Sequence, residues 1–385
     1  MRFEFATSTH IIFGPGVIGD VSSLLAERNV SRAFVITGKK NERARPLVEQ
    51  LYKKGIEHIL FNVSHEPTTD MALAGVQQAR TFQADIVIGI GGGSVLDIGK
   101  VIAALLTNTG DLFDYLEVIG RGRSLTVPAA PSIAIPTTAG TGAEVTRNSV
   151  LTSLEHHVKV SIRSQLMLPS VAIVDPELTY SLPPSITAST GLDALTQLIE
   201  AYVSQKANPL TDGICKEGLT RAARSLQRAF EHGECAQARE DMSLASLFGG
   251  LALANSKLGA VHGIAGPLGG MLSIAHGAVC SRLLPLVIEV NVRALKSRAP
   301  ASPLLAKYDE VARIMTRRST ARADDGVRWI QELCEIVDIP PLSDLGLRRE
   351  HFSQIIEKSK RASSMQGNPI ALMDEELQEI VERAL

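Results

Sequence analysis

Aromatic side chains are scarce in this chain: Phe, Tyr and Trp together make up 4% of 385 residues, with a single tryptophan. Stacking platforms for nucleic-acid bases need such rings, so single-strand binding of that kind is not expected. Excess charge is missing too. The formal net charge is -2 and charged residues are 21% of the chain, so no basic face is on offer to a phosphate backbone. Cysteine is rare, and Cys215, Cys235, Cys280 and Cys334 are scattered without a CxxC pair. That argues against a disulfide scaffold and against a cysteine zinc site, and it fits a reducing cytoplasm. No uninterrupted apolar stretch approaches the ~20 residues that span a bilayer. The start, MRFEFATSTHIIF, lacks the basic region and apolar run of a signal peptide. The expectation is a soluble, cytoplasmic protein with no nucleic-acid and no membrane partner.

What the chain does have is apolar mass, 45% hydrophobic residues, enough for a large core and too much for one compact core. Its first half alternates β-branched runs with helical patterns. Strands are expected over 32–37, 58–61, 85–90, 132–135 and 170–174, with helices over 45–54 and 94–106 between them. Such alternation predicts a mostly parallel sheet covered by helices on both faces. After Leu182-Pro183-Pro184 strand signals become few, and helical periodicity runs through most of 185–204, 213–232, 239–258, 303–317, 323–337 and 373–384. The fold class is therefore α/β: a parallel-sheet N-terminal domain, residues 1–184, plus an all-helical C-terminal domain, residues 185–385.

Two loops at predicted strand ends carry binding chemistry. Gly91-Gly92-Gly93-Ser94 sits directly between a strand and a helix. Glycines let the backbone approach a pyrophosphate, the helix start attracts an anion, and Ser94 is placed to cap it. A tight turn without a ligand would look similar. Pro136-Thr137-Thr138-Ala139-Gly140-Thr141-Gly142 follows another strand and offers three hydroxyls. Ligands of open α/β sheets bind beyond the carboxyl ends of the strands, so the two loops together indicate a dinucleotide site. At the end of the strand over 32–37, where an NAD site often places an acidic residue, stand Gly38, Lys39, Lys40, Asn41 and, a little further on, Arg43. Room and positive charge there favour NADP over NAD.

A second constellation lies in the helical half. Asp193 and Gln197 are four apart and share a helix face among leucines, where a carboxylate needs a partner. A first-turn aspartate stabilised by the helix dipole is the plain alternative. His262 and His276 both sit in small, apolar surroundings, and Gly266-Pro267-Leu268-Gly269-Gly270 between them is expected to turn sharply and let the imidazoles converge. One Asp and two His with open positions suit Fe(II) or Zn(II).

With these residues in view, the chain resembles the iron-containing alcohol dehydrogenase family, related in fold to glycerol dehydrogenase and dehydroquinate synthase. The resemblance runs nearly end to end. It includes Ile11-Ile12-Phe13-Gly14-Pro15-Gly16, and the run Gly91 to Lys100 that is similar to GGGSPxDxAK. Pro136 to Thr146 is similar to PTTxGTGSEVT, and Asp175-Pro176-Glu177-Leu178, Gly191 to Leu195 and Asn368-Pro369 also fit. It implies a dehydroquinate synthase-like fold and a metal-dependent hydride transfer between a nicotinamide cofactor and a small alcohol, aldehyde or ketone. It implies that Gly92, Gly93, Ser94 and Asp97 hold the cofactor, and that Thr137, Thr138 and Thr141 contact its pyrophosphate and nicotinamide half. It places Lys159 near the nicotinamide ribose, Asp193, His262 and His276 on the metal, and the chain in a homo-oligomer, a dimer or larger. The chain departs from the family at four points: Gln197 stands for a usual histidine ligand, Gly266 for a further histidine, Val95 for a proline and Gly38 for a common aspartate. A lyase of the dehydroquinate synthase kind, or a nucleotide-binding protein whose metal site has decayed, would share the same fold.

Overall fold

The computed structural model describes residues 2–39, 41–272 and 274–385, so Lys40, named above beside the cofactor, lies outside the described residues. The N-terminal unit, Ala6–Tyr180, contains in chain order β1 (His10–Phe13), α1 (Val21–Glu27), β2 (Arg32–Gly38), α2 (Arg45–Lys53), β3 (Glu57–Val63), α3 (Thr69–Thr81), β4 (Ile86–Gly91), α4 (Gly93–Thr107) and the single turn α5 (Leu112–Tyr115). It continues with β5 (Ser132–Pro136), β6 (Asn148–Ser153), β7 (Val158–Arg163) and β8 (Val171–Val174). Six strands pair in parallel in the order β1-β8-β5-β4-β2-β3. The expected sheet is present.

Strand periodicity explains its two cores. Phe34, Ile36 and Val87 point to one face and pack with Val76, Ile98, Val101 and Ile102 from α3 and α4. Ala33, Val35, Ile86 and Ile88 point to the other and meet Leu24, Leu25, Leu47 and Leu51 from α1 and α2. With helices on both faces, β4 is buried along its whole length, which is why its sequence reads as a continuous apolar run.

Two features of this unit lie outside the sequence reading. Helix α3 is interrupted in pattern by Gly75, yet the glycine is what lets it pack: a Cβ there would lie 2.5 Å from Ile102 Cδ1 on α4. The antiparallel hairpin β6–β7 stands apart from the main sheet and is tied to α4 by hydrogen bonds from Ser149 Oγ and Val150 N. Both are short, and their signals are too mixed to separate from loop.

The second unit, Ser181–Leu385 with the first residues of the chain, is helical. Its helices are α6 (Pro184–Val203), α7 (Pro209–Glu231), α8 (Ala236–Ser256), α9 (Ala260–Leu272), α10 (His276–Arg298), α11 (Pro303–Thr316), α12 (Ala323–Ile336), α13 (Phe352–Arg361) and α14 (Asp374–Ala384). Proline at the first position of α6, α7 and α11 marks three of the starts. Among the described residues no single helix is long and apolar enough to cross a membrane.

One expectation is overturned here. Gly266-Pro267-Leu268-Gly269-Gly270 is not a turn but the interior of α9, with Pro267 inside the helix. Burial outweighs poor helix propensity: Val261, Ile264, Ala265 and Leu268 are fully buried. Gly263 also lets α9 approach Met365 closely, since a Cβ there would meet Met365 Cε at 2.9 Å. Helix α9 ends at Leu272 and α10 begins at His276.

Candidate metal centre and dinucleotide loops

The metal candidates are brought together by three helices. On α6, Asp193, Gln197 and Glu200 follow one another at spacings of four and three and so line one face, all buried. His262 lies in the first turn of α9, and His276 opens α10 with Cys280 one turn further along the same face. The two imidazole centroids are 5.3 Å apart. Asp193 Oδ1 lies 3.3 Å from His262 Nε2 and 3.9 Å from His276 Nε2. Candidate donor atoms of Asp193, His262, His276 and Cys280 all fall within 4.8 Å of one another. The sharp turn was wrong, but the convergence it was meant to achieve is there.

Burial makes this grouping costly without a cation. Asp193 is 2% exposed, and its Oδ1 has no hydrogen-bond partner. His262 Nδ1 lies 2.7 Å from Glu200 Oε2, and that carboxylate also accepts the backbone N–H of Val261 and His262. With Nδ1 against Glu200, Nε2 faces the Asp193 oxygen, and a carboxylate behind the far ring nitrogen is typical of a metal-bound histidine. Burial alone would raise the Asp193 carboxyl, but His262 and His276 more than offset it and hold it below its usual value. For His262, burial opposes the charged form, and Cys280, Asp193 and Glu200 together outweigh it, so its pKa is raised. Burial pushes the Cys280 thiol up to about 12. A buried anionic oxygen without a partner, facing imidazole nitrogens, is the donor chemistry of a divalent transition-metal site, and the residues fit one.

Gln197 occupies the position of the missing histidine in a particular way. Its Nε2 faces Asp193 Oδ2 at 3.4 Å, and its Oε1 has no partner and lies against Gly249 of α8, where a Cβ would come within 2.9 Å. Glu200 and Cys280 were not singled out in the sequence. Glu200 was legible in principle, three residues beyond Gln197 on the same face. Cys280 was set aside because the cysteines form no CxxC pair, a test that says nothing about a cysteine one turn from a histidine ligand.

The N-terminal unit brings the other candidates together at the carboxyl edge of its sheet. Register pairs Thr37 with Ile90 and Gly91 with Pro136, so the loops after β2, β4 and β5 emerge side by side. The strand order reverses between β2 and β4, the switch point where such sheets bind ligands. A Cβ at Gly93 would lie 2.9 Å from Thr141 Oγ1, and one at Gly92 would lie 3.4 Å from Thr138 Oγ1, so the glycine turn and the threonine loop touch. Gly92, not Ser94, is the N-cap of α4, and no side chain caps it. The expected cap is thus absent, which leaves the first N–H groups of α4 directed at the space a phosphate would fill.

Asp97 is committed within the protein. Its Oδ2 accepts the Val150 N–H at 2.9 Å and its Oδ1 pairs with Lys100 Nζ at 2.8 Å, which fastens the hairpin to α4. Lys159, on β7, pairs with Glu66 at 2.9 Å. Gly38 ends β2, where a Cβ would meet nothing within 4 Å, and Lys39 beside it is exposed.

Glu144, at the end of the threonine loop, is fully buried, and that burial pushes its carboxyl up to about 7. Because the folded pKa lies above the ordinary 4.5, the folded state holds the extra proton between those values. Stability on this account falls as pH rises through that interval. Glu144→Gln is expected to flatten the slope and to stabilise the protein above neutral pH by up to about 3 kcal/mol. Unfolding midpoints of the two proteins at about pH 5 and about pH 8 check this.

A parallel nucleotide-type sheet with glycine and threonine loops, and a buried Asp–His–His cluster in a helical unit, define a metal-dependent, nicotinamide-linked oxidoreductase. The profile of the iron-containing alcohol dehydrogenases matches residues 8–176, and that of the C-terminal part of the same family matches residues 187–385. The chain belongs to the iron-containing alcohol dehydrogenase family. It is 34% identical to 1,3-propanediol dehydrogenase of Klebsiella pneumoniae, over 99% of this chain and 98% of that one. It is 46% identical to long-chain-alcohol dehydrogenase 1 of Geobacillus thermodenitrificans, over 74% of this chain and 72% of the other. A solved structure of 1,3-propanediol oxidoreductase superposes with a TM-score of 0.92 at 34% identity, covering 100% of both chains.

Proposed function

We propose that this chain interconverts small alcohols with their aldehydes or ketones, with NADP favoured over NAD and with Fe(II) or Zn(II) held by Asp193, His262 and His276. The observation that carries the reading is the buried, unpartnered Asp193 Oδ1 set against two imidazole nitrogens. A divalent cation at that point supplies Lewis acidity, stabilising negative charge on the substrate oxygen. Glu200 keeps the His262 ring in the ligating tautomer. His276, with a side chain 31% exposed, leaves the cluster open to solvent on one side. In the dinucleotide-binding domain, residues 1–184, the N–H groups at Gly93 and Ser94 serve the pyrophosphate, and the hydroxyls of Thr137, Thr138 and Thr141 serve the nicotinamide half. Lys159 serves its ribose, and Asp97 acts by holding the hairpin in place. Gly266 offers no side chain for proton relay, and a Cβ there would meet nothing within 4 Å. The alcohol proton is therefore exchanged with water or through the cofactor ribose.

The substrate is an alcohol or its carbonyl partner. Relatives named for 1,3-propanediol and for long-chain alcohols support that class and span both chain lengths. The NADP preference rests on the open position at Gly38 beside Lys39. Four unpaired cysteines fit a cytoplasmic setting, and kinship supports a homodimer or larger assembly. Protein stripped with a chelator is expected to show no carbonyl reduction with NADPH across a panel of aldehydes, and to regain it with Fe(II) or Zn(II). Absence of turnover with either metal in a folded protein refutes the reading. Gly38→Asp is expected to shift the NADPH/NADH ratio of kcat/KM toward NADH by about tenfold or more, the effect of losing one charge-assisted phosphate contact.

A further inference from the structure

A cation held by one carboxylate and two imidazoles is one ligand short of a closed tetrahedron, and in this chain the usual additional imidazole is the amide of Gln197. The side chain that approaches the cluster is a different one. Cys280 is fully buried on α10, one turn beyond His276, with Sγ 3.6 Å from His276 Nε2 and 3.9 Å from His262 Nε2. Donors around a tetrahedral ion at ordinary bond lengths stand about 3.3 Å apart for nitrogen and oxygen, and about 3.6 Å apart for nitrogen and sulfur. The corresponding separations in the cluster are 3.3 and 3.9 Å for Asp193 against the two imidazoles, and 3.6 and 3.9 Å for Cys280 against them. The unpartnered Asp193 Oδ1 is an independent sign that a cation belongs at the centre of these four atoms. Gln197, by contrast, presents its amide nitrogen to Asp193 Oδ2, and an N–H group is a donor to that carboxylate and not a ligand.

We propose that Cys280 is the fourth protein ligand of the cation, with Gln197 serving to orient Asp193. This rests on the metal-binding reading above. The thiol gives up its proton to solvent as the sulfur–metal bond forms, so the net charge supplied to the cation is that of one carboxylate and one thiolate. A sulfur donor makes the site softer than one built from oxygen and imidazole alone, and matches it to Zn(II) or Co(II). Asp193, His262, His276 and Cys280 would together hold the cation, which would supply Lewis acidity toward the substrate oxygen.

The full-length protein, stripped of metal and titrated with Co(II), separates the possibilities. One cobalt per chain with a near-ultraviolet thiolate-to-cobalt charge-transfer band is expected. Cys280→Ser should lose that band and bind cobalt more weakly by about 100-fold or more, since even outer-shell partners cost 10–100-fold. Cys334→Ser and Gln197→Ala should both keep the band. Stoichiometric cobalt without the band, or a band that survives Cys280→Ser, overturns the role of Cys280 and leaves the metal centre standing. Failure to bind cobalt at all overturns both. Because Cys280 is buried and its variant can lose the fold, X-ray absorption of the zinc-loaded unmodified protein gives a second reading. One sulfur at about 2.3 Å is expected, and a shell of nitrogen and oxygen alone refutes the proposal.

Discussion

The Asp193→Asn protein is expected to lose about a thousandfold or more in kcat/KM for carbonyl reduction while still binding the reduced dinucleotide. Lewis-acid stabilisation of a developing oxyanion is worth several kcal/mol, and each 1.36 kcal/mol is a factor of ten in rate. Asparagine keeps the volume of the side chain but removes the one anionic oxygen that faces both imidazoles without a partner of its own. The cofactor loops, at the carboxyl ends of β2, β4 and β5, are built from other residues and are not touched by the change. Two measurements check this together: metal content after reconstitution, which should fall well below one per chain, and fluorescence titration with NADPH, which should not change. Full activity in the variant would remove Asp193 from the metal centre.

Lys100→Met is expected to lower stability by about 3–5 kcal/mol, the cost of breaking a buried ion pair from one side. Lys100 is 3% exposed, and its ammonium is the common partner of four groups. It pairs with Asp97 at 2.8 Å, donates to Thr146 Oγ1 at 2.9 Å and to Ala143 O at 3.1 Å, and donates also to Asn148 O. Removing it leaves the Asp97 carboxylate with the Val150 N–H but without its countercharge, and takes a donor from three acceptors at the junction of α4, the threonine loop and the hairpin. For a unit of this size the loss corresponds to roughly 10 °C or more in Tm. A thermal or denaturant scan followed by circular dichroism measures it. The same variant should bind dinucleotide more weakly, because the loop carrying Thr137, Thr138 and Thr141 is anchored through Ala143 and Thr146. Unchanged stability would show that the charge at this junction is dispensable.

Much of the fold was legible because it follows from short-range periodicity. The buried runs at β2, β4, β5 and β8 have no alternation to hide, and the helices α7, α11 and α12 carry a repeating apolar stripe. Where packing overrides local preference, the sequence misleads. Gly75 and the Gly266–Gly270 segment are poor helix formers, yet both are helical: Gly75 lets α3 pack closely against Ile102 of α4, and α9 is held by the burial of Val261, Ile264, Ala265 and Leu268. Site residues divide along the same line. Asp193, His262 and His276 were recoverable as chemically odd residues in apolar surroundings, and Gly92, Gly93 and the threonines from their place at strand ends. Lys100 lay within a recognised motif, but its four partners come from 97, 143, 146 and 148 and are set by the fold of the loop and hairpin.

The linear order of residues decided by itself that a parallel sheet with phosphate-type loops comes first, that a helical region with one buried aspartate and two histidines follows, and that the chain resembles one family of dehydrogenases. Those properties depend on neighbours a few positions away. The choice of fourth donor at the metal centre was decided only in three dimensions. Cys280, His262 and Asp193 arrive from α10, α9 and α6, and sequence spacing carries no record of which faces of three helices turn toward one another. The tertiary packing sets Gln197 against Gly249 and brings the thiol to the imidazoles, because the buried faces of these helices turn toward one another.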